Sequence, residues 1–138
     1  MGACTFFILM FPTFLWLAAP APNDILRVTS STPIADNLAQ IFQIIMLVAL
    51  VFCINTTSLR PMPLIGKVLT LVCCVVYYIG WLLYYLSVTN TGVVLILTLT
   101  PCIAFILFAT NRKNFPAIFS ASCFMLCHLF YAFVNFIL

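Results

Sequence analysis

The sequence predicts an all-α fold, an integral membrane bundle of five transmembrane helices forming a single domain over residues 1–138. Three observations carry that prediction. Hydrophobic residues make up 66% of the chain and charged residues only 5%, whereas soluble domains are about a quarter charged. A water-soluble fold of this composition would have no polar surface to present, so the solvent must be a bilayer. The apolar residues also gather into five stretches close to the length that crosses a hydrocarbon core, about 20 residues. Short segments rich in Pro, Asn, Asp, Ser and Gly separate them, and these are the residues of turns and helix ends.

The first stretch covers about 3–19, with the body CTFFILMFPTFLWLAA. A cleaved signal peptide ending near Ala19-Pro20-Ala21 is the other reading, and it would leave a bundle of four helices. Two defects favour a retained span: no Lys or Arg precedes the apolar run, and Pro22 would follow the cut. The start also fails the myristoylation pattern, because Phe6 stands where Ser or Thr is required.

The second span is expected at about 34–56, with Thr32 as N-cap and Pro33 in the first turn. The third is expected at about 66–88 and the fourth at about 92–110, joined by a tight Asn90-Thr91-Gly92 hairpin. Pro101 has no N–H to give the Leu97 carbonyl, so a kink is expected in the fourth helix. The fifth span, about 115–138, starts where Pro116 suits a first helical turn. Asn55-Thr56-Thr57 matches a glycosylation sequon, but it falls near the cytoplasmic end of the second span and is discounted.

Charge sets the expected orientation. Arg60, Lys67, Arg112 and Lys113 lie in the second and fourth connections, while the first and third hold only Arg27, near Asp24 and Asp36. The positive-inside rule then puts the N-terminus in the cytoplasm and the C-terminus outside, in a multi-pass protein of the cytoplasmic membrane. The third and fifth spans also echo each other: Pro63 aligns with Pro116, Cys74 with Cys127 and Tyr78 with Tyr131. The echo would mark a parallel repeat, or only the shared composition of two apolar helices.

Several function classes are excluded by what is missing. The basic residues form no patch, so no nucleic-acid partner is expected. The seven cysteines are odd in number and include no CxxC, which predicts neither a disulfide framework nor a zinc site. Cys123 and Cys127 share a helix side, but one histidine and no nearby acid leave a metal short of ligands. There is no GxSxG, HExxH, P-loop or paired intramembrane carboxylate, so no catalytic residues, metal or cofactor are expected and the protein reads as a non-enzyme.

The chemistry that remains lies on three helix faces. His128, Tyr131 and Asn135 fall on one face of the fifth helix, with Ala117, Ala121 and Ala132 on or near it. Small and polar residues mark the packing side of a membrane helix. Phe119, Leu126, Leu129, Phe130, Phe133 and Ile137 should face lipid. An ionisable residue inside a span is a functional candidate, although a neutral imidazole bonded to a neighbouring helix would also account for His128. On the third helix Tyr77, Gly80, Trp81 and Tyr84 share a face. An interfacial aromatic belt explains Trp81, Tyr84 and Tyr85, and an aromatic-walled pocket for an organic or cationic ligand is the functional alternative. On the second helix Asp36, Gln40 and Gln43 form a polar stripe, either a headgroup fringe or the wall of a wet vestibule. Thr98 of the fourth helix stands ready to satisfy a freed backbone group.

The pieces Arg112-Lys113-Asn114 with Pro116, then His128-Leu129 with Tyr131 and Asn135, give the C-terminal half its resemblance to uncharacterised small multi-spanning membrane proteins of Gram-positive bacteria. The resemblance implies a bacterial cytoplasmic membrane and no activity.

Two functions follow from the residues. One is a small-molecule binding or transport protein whose ligand site comprises Tyr77, Trp81, Tyr84, Thr98, His128, Tyr131 and Asn135. The other is an accessory or structural subunit whose polar face docks a membrane-protein partner or a second copy. The lipid bilayer is a partner in both.

Overall fold

A computed structural model of the chain describes residues 2–27, 29–53 and 62–137. Among these residues there are five α-helices and no strand: α1 (Gly2–Ala18), α2 (Pro33–Phe52), α3 (Leu64–Tyr85), α4 (Thr91–Asn111) and α5 (Phe115–Phe136). A single 3-10 turn, Ile25–Arg27, lies between α1 and α2. The helices α2 to α5 are long and apolar enough to cross a membrane, and α1 is a shorter apolar helix of 17 residues. The chain is therefore a helical multi-pass membrane protein. The sequon at Asn55 and the basic residue Arg60 lie outside the described residues.

The long helices pack in the order α3–α4–α5–α2, and α1 lies against α2, α3 and α4. Hence α4 is the central helix. It is apolar all round, as a buried helix should be, and Leu97, Phe105, Phe108 and Ala109 are all buried. The expected central trio of α3, α4 and α5 is present, but α2 packs on α5 as extensively as α3 packs on α4. On α5 the small residues Ala117, Ala121 and Ala132 are buried, while Phe119, Leu126, Phe130 and Phe133 point outward. Gly80 brings α3 close to α4, since a Cβ there would stand 2.7 Å from Ile96 Cγ2.

Two asparagines clamp α2 to α5. Asn114 caps α5, its side-chain oxygen accepting the Ala117 N–H, and its Nδ2 donates to the Ala49 and Cys53 carbonyls at the end of α2. It thus serves orphan groups of two helix ends at once. Asn135 does the same work at the far end. Its Oδ1 accepts from the Ser31 N–H and hydroxyl, and its Nδ2 donates to Thr32 Oγ1 and the Tyr131 carbonyl. Thr32 is the N-cap of α2 and Pro33 its first residue, as expected, but the Thr32 hydroxyl serves Asn135 and makes no capping bond.

The α3–α4 turn differs from the expected Asn-Thr-Gly hairpin. Asn90 is instead the N-cap of α4, accepting the Val93 N–H, and Thr91 and Gly92 are already helical. The chain reverses at Ser87, whose φ is 66°. Ser87 N–H bonds to the Tyr84 carbonyl and Val88 N–H to Leu83, the paired bonds of a Schellman ending. Lys113, with φ 49°, ends α4 in the same way through Lys113 N–H to Thr110 and Asn114 N–H to Ala109. Each turn therefore uses a non-glycine residue in the left-handed region, where glycine is cheaper.

Each helix interrupted by proline frees one carbonyl. Pro12 of α1 cannot donate to Ile8, and the Tyr78 hydroxyl of α3 bonds the Ile8 carbonyl instead, at 2.5 Å. Pro101 of α4 likewise cannot donate to Leu97, and no side chain among the described residues takes its place.

Candidate functional site

A cavity of about 330 Å³ lies at the meeting of all five helices. Met10, Thr13 and Trp16 of α1 line it, with Gln40 and Gln43 of α2, Leu97 and Pro101 of α4, and Phe124 of α5. It occupies the half of the bundle that carries the α1–α2 and α3–α4 connections, reaching Asp36 in the first turn of α2 and Phe136 at the end of α5. The other half holds the buried residues Phe105, Ala109, Ala117 and Ala121. Lys67, Arg112 and Lys113 lie at that end.

Five of the seven residues read from the sequence as ligand-binding line this cavity: Tyr77, Trp81, Thr98, His128 and Tyr131. The His128 ring is stacked against Phe124 at 5.1 Å and Tyr131 at 6.2 Å between centroids. It makes no hydrogen bond to any described residue, and neither does the Tyr131 hydroxyl. Tyr77 shares a hydrogen bond of 2.7 Å with Thr13 Oγ1. Thr98 donates to the Val94 carbonyl of its own helix at 2.7 Å. The Trp81 indole N–H is buried with no hydrogen-bond partner, and its ring meets those of Trp16, Tyr77 and Tyr84.

Tyr84 and Asn135 do not line the cavity. Asn135 is the clamp described above. Tyr84 is fully buried in a knot centred on Asp24. Its hydroxyl donates to Asp24 Oδ1 at 2.8 Å and accepts the Leu26 N–H at 3.1 Å. Asp24 Oδ2 accepts the Trp16 indole N–H at 2.8 Å and pairs with Arg27 Nε at 3.2 Å. Arg27 also lies over the Trp16 ring at 5.1 Å and donates to the Trp16 and Leu17 carbonyls, which satisfies the C-terminal end of α1. The knot fixes the α1–α2 connection over the ends of α1 and α3, and Leu26 from this connection joins the cavity wall.

The polar stripe of α2 is the part of the cavity that sequence reasoning left between two readings. The structure turns Asp36, Gln40 and Gln43 toward the cavity. Gln43 donates to Met10 Sδ at 3.3 Å, whereas the Asp36 and Gln40 side chains bond to no described residue. Their i, i+4, i+7 spacing was the available signal. A second, almost wholly apolar groove between α1 and α3, lined by Phe11, Leu15, Cys74 and Tyr78, opens on the outward face. All seven cysteines carry free thiols, and no cluster of three metal-ligating side chains exists among the described residues.

No family model, no curated protein and no solved structure matches this chain, so function has to be argued from the cavity itself.

Proposed function

We propose that the protein binds a small molecule in this cavity, as a binding or transport protein of the cytoplasmic membrane. One observation carries the reading: the cavity collects polar groups that no described residue pairs. In the hydrocarbon core there is no water to serve such a group, and an unmatched one costs several kcal/mol; Asp36 and Gln40, in the first turns of α2, are half-buried and exposed respectively. Elsewhere in the spans the short polar side chains are closed off. Thr70, Thr100, Ser120 and Ser122 each donate to a carbonyl of their own helix. Asp36, Gln40, His128 and Tyr131 instead keep their hydrogen-bonding capacity for whatever fills the space between them. The size falls at the small end of ligand pockets, about 300–1,000 Å³. The charge bias favours the basic end in the cytoplasm and the cavity end outside.

Thermal unfolding in a maltoside micelle, run against a panel of small polar and ionic solutes, tests the reading. A ligand stabilises the folded state by mass action, by about 2.7 kcal/mol at one hundred times its Kd, and so raises the unfolding temperature. Binding is expected to raise the wild-type midpoint and to leave His128→Leu unmoved. A protein that no solute stabilises, and that carries a stoichiometric membrane-protein partner through purification, would instead be an accessory subunit.

A further inference from the structure

We infer that the ligand is a small organic cation, an ammonium or quaternary ammonium group held between Asp36 and the aromatic wall. The inference rests on the proposed binding role and names its substrate class. The chain has two acids, and the structure uses them differently. Asp24 is neutralised by Arg27 and two further donors. Asp36 lines the cavity with no ion pair and no side-chain hydrogen bond to any described residue. Among the described residues no Lys or Arg lines the cavity either. Its described wall thus carries one carboxylate and no basic side chain other than the imidazole of His128, and it offers an anion no permanent positive charge.

The rest of the wall fits a cation on separate grounds. Trp81, Tyr77, Phe124 and Tyr131 surround the space, and the faces of aromatic rings attract cations, most strongly where water is excluded. The oxygens of Gln40 and Thr98 add acceptors. Pro101 leaves the Leu97 carbonyl without its usual donor, and both residues belong to the wall. A neutral apolar ligand would use the rings and leave Asp36 unmatched, and an anion would be repelled by it. The same group could arrive as a free amine or as the head of a zwitterionic lipid, and the chemistry of recognition is shared.

The chain's two tryptophans, Trp16 and Trp81, both line the cavity, so intrinsic fluorescence reports occupancy directly. Full-length protein in a non-ionic maltoside micelle would be titrated with choline and with benzyltrimethylammonium. The control is 3,3-dimethyl-1-butanol, which replaces the choline nitrogen by carbon. The inference predicts saturable quenching by at least one cation and binding of the neutral isostere weaker by about tenfold or more, the equivalent of one lost charge contact. It also predicts loss of cation binding in Asp36→Asn and its retention in Asp36→Glu. Native mass spectra of the same preparation separate the two sources, a retained zwitterionic phospholipid or a free amine, and either mass supports the class. Equal binding of the neutral isostere, or unchanged cation binding in Asp36→Asn, would overturn the cation class while leaving the cavity a binding site. Silence toward both cations would also overturn it, and the thermal screen with other solutes then decides the binding role separately.

Discussion

Asp24 gathers an indole N–H, a phenol O–H and a guanidinium around one carboxylate, while Asp36, in the first turn of the next helix, lines the cavity and its side chain bonds to no described residue. The same contrast recurs in the two prolines. The carbonyl freed by Pro12 is taken up by Tyr78, and no described side chain takes up the one freed by Pro101, where Leu97 and Pro101 both line the cavity. A polar group whose contacts are closed contributes to the fold, and one left open does not, which makes it available to a ligand. The two kinds of site should therefore respond differently to the same chemical change.

The largest effect should come from breaking a closed site. Asp24→Ala strands Arg27, Trp16 and Tyr84 together, and a loss of about 3 kcal/mol is expected in chemical unfolding. Asp36→Asn should change stability by less than about 1 kcal/mol, because its side chain bonds to no described residue. Asn114→Ala removes a helix cap and two interhelical bonds at a buried position, and about 2 kcal/mol should go with them. Tyr78→Phe deletes the side-chain donor to the Ile8 carbonyl. That should cost about 1 kcal/mol, on the scale of one hydrogen bond, and the same measurement on Tyr131→Phe should show almost none. The smallest effect has the opposite sign. Ser87→Gly relieves a left-handed residue in the α3–α4 turn and should raise stability by about 0.5–1 kcal/mol, read as a small increase in the unfolding midpoint.

Much of this architecture was legible in the sequence because lipid leaves a chain few options. Four of the five expected spans were readable from length and hydropathy, while the first is a shorter apolar helix; the inward face of α5 was readable from its alanines at helical spacing. The site was legible only in part, for a geometric reason. A helical wheel gives the angle of a residue and says nothing of its depth or of which helix it meets. Asn135 shares the angular sector of His128 and Tyr131, yet it lies at the end of α5, where Ser31 and Thr32 claim it. Tyr84 shares the sector of Tyr77 but lies a helix turn or more nearer the rim, under Asp24. The α2 stripe depended on where α1 docks, because Met10 and Thr13 complete the wall that turns a fringe into a cavity. The Asn-Thr-Gly segment resembled a turn, and the Asn90 side chain made it a helix cap instead. No local residue type marked Ser87 as the point of reversal.

The most direct test of the account is native mass spectrometry of the full chain extracted in the mildest effective detergent, comparing wild type with His128→Leu. The account predicts a small molecule bound at one per chain in the wild type and absent from the variant. A wild-type spectrum with no small molecule and a stoichiometric protein partner would contradict it.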